Sequence, residues 1–114
     1  MLRILLFKTT LLFSLVLTAQ NFNSRKFLEG QWCDKAKIDC FNIFAIDGLL
    51  IYETITGDFR TGIEIIGYND KTETILWELV KTNKKTNSFK ILNKNKVQFY
   101  NNNRRTTLYR QKKE

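Results

Sequence analysis

Phe41-Asn42-Ile43-Phe44-Ala45-Ile46-Asp47-Gly48-Leu49-Leu50-Ile51-Tyr52-Glu53-Thr54, residues 41–54, reads as two strands folded about a two-residue turn. A hairpin loop of that length needs positive φ at both positions, and Asp-Gly tolerates it best. The turn sets the register, with Ile46 opposite Leu49 and Ile43 opposite Tyr52.

Working outward, the rest of the chain repeats the pattern: short β-branched and aromatic runs divided by Asn, Asp, Gly and Lys clusters, with no segment that sustains a helical period. Eight strands are expected near residues 29–33, 40–46, 49–56, 62–68, 72–80, 88–92, 96–100 and 105–111. Asn69-Asp70, the Thr82–Asn87 stretch, Asn93-Lys94-Asn95 and Asn101-Asn102-Asn103 supply the later turns. The chain has no proline, so no strand loses a ladder donor. Side chains alternate across a strand, which puts Ile75, Trp77 and Leu79 on one face and Thr74, Leu76 and Glu78 on the other. Ile63 with Ile65, Phe89 with Ile91, and Val97 with Phe99 keep the same period. An all-β fold follows. A single eight-stranded antiparallel up-and-down barrel satisfies the pattern most simply because it leaves no free edge, and a two-sheet β-sandwich is the alternative.

Residues 1–19 carry Arg3 and Lys8, then the apolar run Leu11 to Leu17, then Thr18-Ala19. That order is a secretory signal peptide with cleavage after Ala19. The apolar run is too short for a membrane span, which takes ~20 residues, so no transmembrane segment is expected after cleavage. Gln20 stands where a lipidated anchor would need Cys. The mature protein is therefore expected in the periplasm or outside the cell, with 20–27 as a flexible lead and 28–112 as one barrel domain. So short a chain buries only about 60–65% of its unfolded surface and benefits from a covalent tie. Cys33 and Cys40 are the only cysteines, and in an oxidising compartment two cysteines tend to pair. If Trp32 points inward, Cys33 points outward, which puts the expected disulfide on the outer surface of the first hairpin. With no His and no second cysteine pair, a metal or redox site is disfavoured.

These residues carry a resemblance. Leu28-Glu29-Gly30-Gln31-Trp32 opens the domain, residues 41–48 form the next strand and its turn, Trp77 lies mid-chain, and Thr107-Leu108-Tyr109-Arg110 closes it. In that order of elements the chain resembles the bacterial lipocalin-like families of the calycin group. The resemblance implies that Trp32 plugs one end of the barrel and that Arg110 packs across it. It also implies a small apolar or amphiphilic ligand inside. At 95 residues after the leader, the chain is much shorter than a full lipocalin, so its loops are tight.

Trp32, Phe41, Ile43, Tyr52, Ile63, Ile65, Trp77, Phe89 and Phe99 are the candidates to line the interior. A barrel of eight strands either fills with such residues or holds one small ligand. Aromatic residues at strand period are more often plain core, so both readings stay open. A pocket gains credibility if Tyr52 or the Trp77 indole N–H projects into it.

Charge is uneven: Gln20–Val80 holds six basic and ten acidic residues, and Lys81–Glu114 holds eleven basic and one acidic. The basic final strands suit an anionic surface or a protein partner, although solvated turns explain them as well. For an exported chain no nucleic-acid partner is expected. Without His there is no Ser-His-Asp or Cys-His set, and Glu53, Asp58, Glu64 and Glu78 fall at ordinary exterior positions, so no catalytic residue, no enzyme and no cofactor is expected. A monomeric binding protein is the first functional reading. A calycin-fold protease inhibitor or other protein-binding module is the second, because small periplasmic metalloprotease inhibitors share the size, leader, Gly-x-Trp and basic last strand. In those proteins a free segment before the barrel enters the protease, which would be residues 20–27 here. The Cys33–Cys40 spacing is short for that group.

Overall fold

The computed structural model describes residues 22–80, 85–101 and 103–112. The signal peptide expected over 1–19, and the part of the later turns that falls on 81–84 and 102, lie outside the described residues. One short helix, α1 (Ser24–Leu28), precedes eight strands: β1 (Gly30–Cys33), β2 (Cys40–Ile46), β3 (Leu49–Thr54), β4 (Arg60–Asn69), β5 (Thr74–Leu79), β6 (Asn87–Asn93), β7 (Lys96–Asn101) and β8 (Arg104–Arg110). Each strand pairs antiparallel with the next, and β1 also pairs with β8, which closes the barrel and rules out the sandwich.

Asp47 and Gly48 both take positive φ, 51° and 81°, and the register sets Ile46 against Leu49 and Ile43 against Tyr52. Asparagine and aspartate build the other turns by accepting from the backbone ahead of them. Asn69 Oδ1 takes Lys71 N–H at 3.0 Å, Asn93 Oδ1 takes Asn95 N–H at 2.8 Å, and Asp34 Oδ1 takes Ile38 N–H at 2.9 Å. Strand β3 ends at Thr54, two residues short of the expected limit. There Thr54 accepts from Gly57 N–H and donates its own N–H to Phe59, turning the chain at Gly57, whose φ is 81°.

The faces sort by period two, with one break. Ile65 pairs with Trp77 but Gly67 pairs with Leu76, so Ile66 is an extra residue in β4. This bulge pushes Ile66 outward and turns Tyr68 inward beside Ile75. A second bulge at Leu92 does the same service between β6 and β7, leaving Leu92 exposed.

Cys33 and Cys40 form a disulfide across the β1–β2 ladder, their Cα atoms 4.2 Å apart. Its expected place on the outer surface needs correction, because Cys33 is only 2% exposed. Closure explains this: β8 runs along the other side of β1 with Tyr109 opposite Cys33, so Cys33 has a strand on each flank rather than lying at a hairpin edge.

Residues 24–27 of the segment read as a flexible lead belong to α1. Asn23 caps the helix by accepting Lys26 N–H at 3.0 Å, Phe22 stacks on Tyr68 with ring centres 4.3 Å apart, and Leu28 is fully buried. Among the described residues no helix is long and apolar enough to cross a membrane.

Candidate functional site

Because the strands alternate direction, the loops fall at two ends. The α1 end holds the Asp47-Gly48 turn and the β4–β5 and β6–β7 turns; the far end holds the connections after β1, β3, β5 and β7. The two ends are built differently.

The α1 end is sealed by Trp32, Arg110 and α1. The Trp32 ring is fully buried, and its indole N–H donates to Leu28 carbonyl at 2.9 Å. Arg110 stands opposite Trp32 in the β1–β8 register, with its guanidinium carbon 4.3 Å from the centre of an indole ring and 5.0 Å from that of Phe27. Its donors are spread over three carbonyls: Nη2 to Phe27 at 2.7 Å, Nε to Lys94 at 3.1 Å, and Nη1 to Glu29. Partial burial pulls the guanidinium below its ordinary pKa, and the three carbonyls together with the indole face offset that cost. Gly30 makes room for this. Its φ is 140°, and a Cβ there would come within 2.9 Å of Arg110 Nη1. Above the seal, Ile43, Ile75, Phe89 and Val97 are buried and pack into a solid core with Trp32 and Leu28.

The far end is hollow. A recess of about 470 Å³ opens there, within the usual range for small-molecule sites. Its floor is apolar and aromatic: Phe41, Tyr52, Trp77 and Phe99, with Leu79 and Leu108 beside them. Trp77 stacks on Phe99 at 5.9 Å with the planes 9° apart, and meets Phe89 edge-on at 5.5 Å. Above the floor the inward positions turn polar, and Thr54, Asn87, Asn101, Arg104 and Thr106 form a collar. Ile38, Asp39, Ile55 and Thr56 complete the rim from the loops.

Two details of polarity bear on binding. The Trp77 indole N–H is buried and finds no acceptor among the described residues, as does the Thr61 hydroxyl one strand away. Burial also raises the Tyr52 phenol above its ordinary pKa, so it stays protonated and able to donate through the physiological range.

The nine residues read as interior candidates are therefore divided. Phe41, Tyr52, Trp77 and Phe99 border the recess. Trp32, Ile43 and Phe89 belong to the closed base, while Ile63 and Ile65 are half-buried beside a shallow crevice with Arg25, Leu50 and Glu64 where β3 and β4 part. The collar residues are polar, so a reading of apolar periodicity passes over them. Counting by two from the buried Leu108 reaches Thr106 and Arg104, and counting from Val97 through Phe99 reaches Asn101. Among the described residues no group of His, Cys, Asp and Glu is placed to hold a metal ion.

Comparison with protein-family models, curated proteins and solved structures finds no match for this chain.

Proposed function

We propose that this is an exported lipocalin-like binding protein that holds one small apolar or amphiphilic molecule in the open end of its barrel. The observation that carries the reading is the recess itself: an aromatic floor under a polar collar, in a barrel sealed at the opposite end. An apolar group entering it removes both its own surface and the exposed parts of the Tyr52 and Phe99 rings from water, and burial contributes about 25 cal/mol per Å². The protonated Tyr52 hydroxyl, on a half-buried ring that lines the recess, offers a donor to a polar atom that reaches the floor. The calycin-group assignment rests on the closed eight-stranded barrel and on the Trp32–Arg110 seal, and export rests on residues 1–19.

The test is titration with an apolar fluorescent probe, read by energy transfer from tryptophan. One-to-one saturable binding that Phe99→Trp or Leu79→Lys alters is the expected result. Absence of saturation across fatty acids, sterols, haem and quinones defeats the reading. A second reading, a protein-binding module that uses the same end, is favoured by Ile38 and Val80, which stand 77% and 60% exposed at that end. Loss of a protein partner on Ile38→Asp, with probe binding intact, would select it.

A further inference from the structure

We infer that the edge of β8 from Arg104 to Thr107 is a docking site for an extended, acidic segment of a partner protein, which adds to the barrel as a strand where β1 stops short. This goes beyond the small-molecule reading and stands on different groups, the main chain of β8.

The ladder that closes the barrel does not reach the far end. Strand β1 meets β8 at Trp32 opposite Arg110 and at Cys33 opposite Tyr109, with Gln111 N–H donating to Gln31 carbonyl below them. After Cys33 the chain leaves the ladder, because Lys37 N–H donates back to Asp34 carbonyl and turns it towards β2. On the other side β8 continues past that point as Thr107, Thr106, Arg105 and Arg104.

Parity shows which groups are left over. Arg110 N–H donates to Asn95 carbonyl on the β7 side, so Leu108, Thr106 and Arg104 also bond towards β7, opposite Val97, Phe99 and Asn101. The residues between them point their N–H and C=O groups the other way. Tyr109 meets Cys33, whereas Thr107 and Arg105 find no main-chain partner among the described residues. Arg104, Arg105 and Thr106 are all exposed although they alternate between the two faces, as a bare edge requires. Accordingly β1 contributes no residue to the lining of the recess, although β8 and β2 on either side of it do. The barrel's other gap is treated differently. Where β3 and β4 part, α1 lies against β4 and Arg25 donates to Gly48 carbonyl, so the chain covers that opening itself.

Charge picks the occupant. A bare edge is a template for any passing strand, and arginines on it repel a second copy of the same edge while attracting a strand that carries carboxylates. Among the described residues no carboxylate lies within ion-pairing distance of Arg104 or Arg105. The neighbouring β1–β2 loop is balanced, with Lys35 and Lys37 against Asp34 and Asp39, so the two arginines set the sign. Geometry adds a pattern. A strand that continues the line of β1 runs antiparallel to β8, and residues directly opposite each other share a face. Its residue opposite Arg105 lies on the outer face and suits Glu or Asp, while its residue opposite Thr106 points inward, where an apolar side chain joins the lining of the recess. Main-chain bonds to Arg105 and Thr107 supply affinity, and the alternating side chains supply specificity.

The experiment titrates acetyl-Thr-Val-Glu-Glu-Val-amide, and its counterpart with Lys-Lys in place of Glu-Glu, into the mature protein, followed by nitrogen–proton correlation spectra. In the antiparallel register the second peptide residue faces Thr106 and the third faces Arg105. Saturable shifts of the Arg105 and Thr107 amide signals are expected. The Glu peptide should bind about tenfold tighter, since opposite-charge pairs replace like-charge ones across the edge. N-methylation of its third residue removes a bond to Arg105 carbonyl and should weaken binding about fivefold, whereas N-methylation of the second, whose N–H points away from β8, should not. Arg105→Glu should reverse the preference between the two peptides. Absence of shifts at Arg105 and Thr107, equal binding of both peptides, or equal response to the two N-methylations overturns the inference. A concentration-dependent dimer that protects the Arg105 amide from exchange overturns it as well, by giving the edge to a second copy. Binding of the apolar probe is measured separately, so loss of the peptide site leaves the small-molecule reading standing.

Discussion

Replacing Arg110 with Ala tests how the closed end is held, and its cost can be worked from the contacts. The bond from Nη2 to Phe27 carbonyl at 2.7 Å is charge-assisted and part-buried, worth about 1.5 kcal/mol. The guanidinium over Trp32 at 4.3 Å adds about 1 kcal/mol. The bond to Lys94 carbonyl at 3.1 Å is exposed, and water replaces it at little cost. The bond to Glu29 carbonyl and the packing of the alkyl stem bring the total to about 3–4 kcal/mol. For a domain of this size that is a large share of a stability of about 5–9 kcal/mol. Urea unfolding, followed by tryptophan fluorescence, should show the midpoint fall with the slope unchanged. Arg105→Ala is the control, because that side chain is exposed on the outer face and its loss should fall within about 0.5 kcal/mol. A loss under about 1 kcal/mol for Arg110→Ala, or one equal to the control, would refute the seal and reduce Arg110 to a surface charge.

Other outcomes follow from the same geometry. Gly30→Ala should cost roughly 2–4 kcal/mol, since its φ of 140° strains any L side chain and its Cβ meets Arg110 Nη1; combined with Arg110→Ala the two losses should be less than additive in a double-mutant cycle. Removing the Cys33–Cys40 disulfide by paired serine substitution should cost about 2–3 kcal/mol for so short a loop, measured in urea, and thiol titration of the unreduced denatured protein should find no free thiol. Tyr52 gives a pH signature. Its folded pKa is raised by burial, so its contribution is fully present below the unfolded value of about 10 and is lost as pH climbs through the folded one; Tyr52→Phe should flatten the alkaline fall in stability that the wild type shows above that point.

Much of the architecture can be read from the chain because a few local signals are decisive. Asp47-Gly48 has a single good hairpin geometry, and it drew Ile43 opposite Tyr52. Ile75 and Trp77 keep their period across β5, so the inner face there needs no tertiary knowledge. Period two misleads where the ladder breaks: after Ile65 it points to Gly67, whereas the bulge at Ile66 puts Tyr68 inside, and a bulge depends on the pairing partner. Helix α1 is one turn long, too short for periodicity to register, although Asn23 three residues before Lys26 is the capping signal that marks it. The same limit applies to the recess. Which aromatic residues pack and which border open space is set by where α1 and Arg110 close the barrel, and no single strand carries that information. The polar collar was legible in principle from inward parity at Arg104, Thr106 and Asn101.

The central claim is that the barrel is solid at the α1 end and binds at the other, and two indole protons report on the two ends separately. Trp32 and Trp77 are the only tryptophans, so a nitrogen–proton correlation spectrum of the mature protein contains two indole signals. Trp32 N–H is tied to Leu28 carbonyl beneath the seal, and Trp77 N–H, on a ring of the recess floor, has no acceptor among the described residues. Titration with dodecanoate should shift the Trp77 signal in a saturable way and leave the Trp32 signal in place. Shifts of the Trp32 signal alone, of both signals equally, or of neither at saturating ligand would contradict the account.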